Sequence, residues 1–309
     1  MDNINRESLS GLIAAPFSPM NDKGEINPDI IGNYADHLIK SKVSGVFVCG
    51  TTGEGPSLTI EERKLILEAW VKASQGKLKI ICHVGGTSLH QCVELAIHAG
   101  KNGADAIGAF APFFFKPSSG KELLSFLAPI ANAVNGLPFY YYHFPSLTGV
   151  NFSVSELLPE ARKLIPGFTG VKYTHSDLFD MQKCLNYNNG EFEILHGYDE
   201  VLLAGLSMGI KAAVGSTYNY MPSVYLRLWE AFNNGDIVKA RELQILSVKL
   251  VEILIRYGGA IIAGKAIMEF VGVDCGPCRL PLKRLSHAET EALKDELVNA
   301  GLFFDLKKL

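Results

Sequence analysis

Lys172 is the residue whose surroundings most clearly suggest chemistry. It follows Phe168-Thr169-Gly170-Val171, a run that reads as a buried strand, and an unpaired ammonium in such a place is costly. Desolvation that moves its pKa from about 10.4 toward 7 or 8, worth about 4 kcal/mol, leaves a useful fraction of neutral amine at physiological pH. A neutral amine attacks carbonyl carbon. The competing reading is a lysine whose stem packs along apolar neighbours while its head reaches water at the strand end.

Other segments carry groups that could serve such an amine. In Phe139-Tyr140-Tyr141-Tyr142-His143, alternation sends Tyr140 and Tyr142 to one face and Tyr141 to the other. A phenol near an amine and a substrate hydroxyl can relay a proton, whereas a structural tyrosine merely satisfies its O–H. The turn Gly50-Thr51-Thr52-Gly53 offers two glycines, two hydroxyls and several N–H groups suited to a small anion such as a carboxylate. It also serves as a tight turn into the next helix, and Glu54 fits either role. Asp199 and Glu200 would repel an acid group and accept hydrogen bonds from a polyol, or simply cap a helix. A ligand with two unlike ends is suggested.

Two further patterns look chemical and lack the context for it. His83, His143, His175 and His196 fall near strand ends, but no H-x-H or H-E-x-x-H spacing occurs, so hydrogen-bonding histidines are the plainer reading. Cys275-Gly276-Pro277-Cys278 spells a dithiol motif, yet Pro281 opposes the helix that would lower the pKa of its first thiol. A loop is expected there.

The elements that must position these groups repeat. Short apolar, β-branched or aromatic runs alternate with segments of helical spacing from residue 11 to about residue 233. The strand candidates are 12–15, 45–49, 79–84, 104–110, 139–142, 169–172, 193–196 and 212–215. Helix starts are expected after Asn27 and Pro28, at Thr59 with Glu62, and at Ser153 with Glu156. Eight strand and helix units without a linker match a closed (β/α)8 TIM barrel of α/β class, residues 1–233. Residues 234–309 read as a C-terminal three-helix extension packed on it, with helices over 237–257, 260–271 and 287–300. An open doubly wound sheet also alternates strand and helix, but it usually carries a glycine-rich phosphate turn, and neither G-x-G-x-x-G nor G-x-x-x-x-G-K-[ST] occurs.

Composition narrows the functional classes. The 309 residues are 48% hydrophobic and 20% charged, enough for a large core. Twenty-nine basic against thirty-two acidic residues give a formal charge of -3, which supplies no positive field for nucleic acid or anionic lipid. The polar opening MDNINRESLSG lacks a signal-peptide pattern, no apolar run approaches the roughly 20 residues of a membrane span, and six scattered cysteines read as reduced thiols. A cytoplasmic protein is expected.

Taken in order, GTTGE, YYHFPSLTG, GVKYT, GYDE and GSTYN, with GLIAAPFSPM, HVGG, APFFFKP, GKAIMEFVG and RLPL, resemble the N-acetylneuraminate lyase branch of the dihydrodipicolinate synthase and N-acetylneuraminate lyase family of class I aldolases. The likeness covers nearly the whole chain. It implies a homotetramer of (β/α)8 barrels that cleaves sialic acid reversibly to N-acetylmannosamine and pyruvate, with no metal or organic cofactor. Lys172 would form the Schiff base and Tyr142 would relay the proton. Thr51 and Thr52 would hold the carboxylate, while Thr174, Gly197, Asp199, Glu200 and Ser216 would line the sugar end. Siblings that make dihydrodipicolinate typically place a tyrosine pair where this chain has Phe113-Phe114-Phe115 and an arginine shortly after the proline matching Pro145, where Ser146 and Leu147 stand. Phenylalanine cannot shuttle a proton, and neither Ser146 nor Leu147 can pair a second carboxylate. The alternatives are an aldolase for another 2-oxo sugar acid and a barrel that binds a sugar acid without turning it over.

Overall fold

The computed structural model describes residues 8–302; the first and last seven residues of the chain lie outside it. Eight strands close into one parallel barrel in sequence order: β1 Gly11–Ala14, β2 Gly45–Val48, β3 Lys79–His83, β4 Ala106–Phe110, β5 Phe139–His143, β6 Phe168–Tyr173, β7 Glu193–His196 and β8 Ala212–Gly215. Closure leaves no free sheet edge. Every expected strand is present, with ends displaced by up to two residues.

Alternation along the strands sorts side chains into two layers. Ile13, Phe47, Ile81, Phe110, Tyr140, Tyr142, Leu195 and Val214 fill the barrel interior. Val46, Val48, Ile80, Ile107, Tyr141, Val171 and Ile194 face outward and join the core formed with the helices. The Tyr140 and Tyr142 pair therefore shares the inner face, as its spacing requires. On β6 the same alternation turns Val171 outward and Lys172 inward. Parallel register sets Lys172 opposite Tyr142 on β5 and Leu195 on β7.

The helix starts show where sequence signals succeed and fail. Thr59 and Glu62 form a reciprocal capping box at the Ile60–Ser74 helix. The helix expected after Asn27 and Pro28 begins later, at Ile30. Asn27 instead donates its N–H to Pro19 O at 2.8 Å, closing a short loop across the antiparallel bridge Met20 to Ile26. Ser153 does not cap the Val154–Leu164 helix. Its hydroxyl donates to Asp180 Oδ1 at 2.6 Å, and Asp180, from the Leu178–Asn186 helix, accepts the N–H groups of Val154 and Ser155 at 2.9 and 3.2 Å. A full carboxylate charge at a helix N-terminus outcompetes a hydroxyl for those donors.

Beyond the barrel, helices Ile237–Arg256, Ile262–Phe270 and His287–Asn299 follow. The first packs along the Pro222–Asn233 helix and brings its last turns to the barrel mouth. Among the described residues, no helix is long and apolar enough to cross a membrane.

Candidate active site

A cavity of about 220 Å³ opens at the C-terminal ends of the strands, the end where barrels of this architecture carry their chemistry. All nine residues expected at the site line it: Thr51, Thr52, Tyr142, Lys172, Thr174, Gly197, Asp199, Glu200 and Ser216. They come from five separate strand exits, so closure of the barrel brings them together.

Lys172 is 4% exposed. Its Nζ lies 4.1 Å from the ring centroid of Phe47 and 4.1 Å from that of Tyr142. Burial pulls its pKa down to about 7, against the opposing pull of the Asp199 charge. A large neutral fraction at neutral pH follows directly. Tyr142 is equally buried, and its hydroxyl stands 3.3 Å from Thr51 Oγ1. Burial pushes the phenol pKa up, although the Thr51 and Thr174 hydroxyls act the other way. The phenol therefore remains protonated and can move a proton only by receiving one as it gives its own away.

The Thr51 turn is held in an uncommon shape. Cys49 and Glu54, neither of them glycine, sit on either side of it at φ 56° and 56°, the sparsely populated left-handed region. Glu54 resolves into an anchor: its Oε1 pairs with Lys265 Nζ at 2.7 Å, and its Oε2 accepts the Arg279 N–H at 2.7 Å. Thus the C-terminal extension holds the turn that carries Thr51 and Thr52.

The opposite wall is built by β7 and β8. Asp199 is buried rather than presented to solvent: its Oδ2 accepts the Thr217 N–H at 2.9 Å and the Thr217 hydroxyl at 2.6 Å. Burial raises its pKa to about 7, with the Thr217 hydrogen bonds opposing. Much less negative charge faces a ligand than its residue type suggests. Its Oδ1 would lie 1.9 Å from a Cβ at Gly215, so glycine is required there. Gly197 is likewise required, because a Cβ would meet Thr174 Oγ1 at 1.9 Å. Glu200 is half-buried at the mouth, with its pKa raised by burial.

A family model described as the dihydrodipicolinate synthetase family matches residues 8–300. The chain belongs to that family. Among its curated relatives, the proteins named N-acetylneuraminate lyase from Rattus norvegicus and Homo sapiens are 43% and 42% identical. The Rattus match covers 92% of this chain and 90% of that protein, and the Homo sapiens match covers 98% and 96%. A Proteus mirabilis N-acetylneuraminate lyase structure superimposes with a TM-score of 0.93 at 38% identity, covering 96% of this chain and all of that one. The other branch of the family is more distant: a dihydrodipicolinate synthase from Aquifex aeolicus gives a TM-score of 0.87 at 27% identity, covering 95% and 99%.

Family motifs marked the strand exits and missed the walls between them. Phe47 sits in what reads as an ordinary apolar strand, buried at all four positions, so its pattern does not separate the inner face from the outer. Tyr198 and Thr217, inside GYDE and GSTYN but without an expected role, also line the cavity. Burial raises the Tyr198 phenol pKa, and the Ser146 side chain from the β5 loop opposes that shift. Val251, Leu254 and Ile261 add an apolar wall from the extension, and nothing in helical periodicity announces that. Tyr173 faces away from the cavity, donating to Asp177 O at 2.9 Å.

The remaining candidates lie elsewhere. Phe113, Phe114 and Phe115 are outside the cavity lining, with Phe114 and Phe115 74% and 86% exposed. His83 Nδ1 lies 3.1 Å from Cys49 O, and His143 Nδ1 lies 3.3 Å from the Tyr141 hydroxyl. Burial moves His143 and His196 down to about 4. Among the described residues, no three His, Cys, Asp or Glu side chains gather as metal ligands. Cys275 and Cys278 are free thiols in a loop, and burial pushes the Cys278 thiol up to about 11. A thiol so rarely ionised is a poor redox nucleophile.

Proposed function

We propose that this chain is a Schiff-base aldolase that cleaves N-acetylneuraminate to N-acetylmannosamine and pyruvate, reversibly. The observation that carries the reading is Lys172: a buried amine with its pKa near 7, in register with Tyr142 at the mouth of the barrel. Sequence relatives named for that reaction support the choice of substrate.

In the cleavage direction, Lys172 Nζ attacks the C2 ketone; one proton is taken up, water leaves and a protonated imine forms. That cation is an electron sink. Tyr142 receives the C4 hydroxyl proton while passing its own to the substrate carboxylate, held by Thr51 and Thr52. The electrons of the C3 to C4 bond then enter an enamine, and C4 becomes the aldehyde of N-acetylmannosamine. Return of the proton to C3 and addition of water release pyruvate and restore the amine. Thr174, Gly197, Asp199, Glu200 and Ser216 border the sugar end, where hydroxyls of a polyol find acceptors and donors.

We also assign residues 1–233 to the catalytic barrel and 234–309 to the helical extension, as one structural unit. The unpaired cysteines fit a reducing compartment, and we place the reaction in the cytoplasm. A homotetramer would cover the exposed Phe114, Phe115 and Phe179, and sedimentation equilibrium tests that assembly.

Borohydride added with pyruvate, followed by peptide mapping, tests the function. A reduced adduct on Lys172 together with pyruvate release from N-acetylneuraminate is expected. Absence of the adduct would leave a sugar-acid binder, and equal rates on shorter 2-oxo acids would remove the sugar assignment.

A further inference from the structure

The most unusual surroundings in the barrel belong to a residue that takes no part in the scheme above. Phe47 is fully buried on the inner face of β2, and its ring lies 4.1 Å below Lys172 Nζ. The Tyr142 ring sits at the same distance from that nitrogen, tilted 76° to Phe47 with the two centroids 5.5 Å apart. Two ring faces therefore meet at one amine. Among the described residues, no carboxylate is within ion-pair distance of Lys172; the Asp199 charge acts on it from further off, and the two aromatic faces lie directly against it.

Space for the Phe47 ring is kept open at both edges by glycine. A Cβ at Gly50 would approach its Cδ1 to 2.9 Å, and one at Gly108 would approach its Cε2 to 3.2 Å. Neither glycine has a positive φ, so the missing side chains provide space rather than backbone freedom. Behind the pair stands His83, whose ring is 5.8 Å from Phe47 and 5.9 Å from Tyr142. Its Nε2 is buried without a partner, and burial together with the Arg63 and Lys172 charges keeps it neutral. The Arg63 guanidinium on that side is engaged by the carbonyl oxygens of His83 and Gly85, at 2.7 and 3.1 Å.

We propose that Phe47 is a positioning residue that, with Tyr142, forms an aromatic clamp on Lys172 Nζ and stabilises the positive charge this nitrogen carries as ammonium and as protonated imine. The role for the imine rests on the Schiff-base reading; the role for the ammonium stands without it. The ring quadrupole presents negative potential to a cation over its face. In a dry pocket it can therefore favour the electron sink without placing a fixed anion beside a substrate that is itself an acid.

Graded fluorination of Phe47, from one to three ring fluorines introduced by genetic code expansion, withdraws that negative potential while almost preserving shape. Two readouts keep the claims apart. Reductive methylation of Lys172 with formaldehyde, quantified by peptide mass spectrometry against pH, reports the amine without any aldolase chemistry. Weaker support for the cation should move its midpoint downward at each step, by about half to one pH unit in all. Phe47→Leu should shift it in the same direction. Turnover of N-acetylneuraminate should fall stepwise with fluorination through kcat, with KM little changed. A midpoint that stays fixed or rises through the series would overturn the clamp. Failure of the unmodified protein to capture pyruvate would instead overturn the aldolase reading, while the methylation series would still decide the clamp.

Discussion

Two lysines in this molecule are each 4% exposed, yet their surroundings oppose one another. Lys265, on the Ile262–Phe270 helix, donates to Pro277 O at 2.7 Å and pairs with Glu54 at 2.7 Å. Lys172 has two aromatic faces and a buried carboxyl, Asp199, whose own charge is suppressed by burial. Burial alone therefore does not make a reactive amine; burial without a counter-charge does. The first lysine secures the Thr51 turn, and the second has what it needs to attack a carbonyl.

Removing each amine should separate these roles most sharply. Lys172→Met should abolish turnover and pyruvate capture yet raise the thermal unfolding midpoint. Folding at pH 7 buries a lysine whose unfolded pKa is about 10.4, so the side chain must either carry a desolvated charge or lose its proton, a cost of several kcal/mol at most. Because the folded pKa is depressed to about 7, the unfolded state binds more protons between pH 7 and 10. The penalty is full below pH 7 and declines as pH rises, so the gain in the variant should shrink in the same way. Lys265→Met should do the reverse and destabilise the fold by about 3–5 kcal/mol, because it strands the Glu54 charge. Adding Glu54→Gln should recover part of that loss in a double-mutant cycle.

Tyr142→Phe keeps the ring face beside Lys172 and removes the relay. Turnover should fall by about 10²- to 10⁴-fold while borohydride capture of pyruvate on Lys172 persists; unchanged turnover would exclude a proton role. The smallest effect is expected at a helix cap outside the cavity lining. Thr59→Ala removes the cap of the Ile60–Ser74 helix and should lower stability by about 1 kcal/mol in chemical denaturation, with kcat unaltered.

The same contrast explains what could be read from sequence. Lys172 and Tyr142 announce themselves because each ends a strand, and strand exits in a parallel barrel converge on one face. Thr59 and Glu62 signal a helix start because both partners lie within four residues. Ser153 misleads because its outcome depends on Asp180, 27 residues away. Glu54 was ambiguous for the same reason: its partners Lys265 and Arg279 lie more than two hundred residues further along the chain. Asp199 lines the cavity with less charge than its residue type suggests, since sequence does not reveal how deeply a carboxyl is buried. The apolar wall around Leu254 and the clamp at Phe47 arise from tertiary packing, for which local periodicity carries no signal.

The most direct measurement is the rate at which Lys172 is captured by pyruvate and borohydride as a function of pH in single turnover. An amine with its midpoint near 7 should give a rate that rises about tenfold per pH unit below 7 and levels off above it. No capture on Lys172, or a tenfold rise per unit that continues to pH 10, would contradict the claim that the barrel holds this lysine dry and neutral.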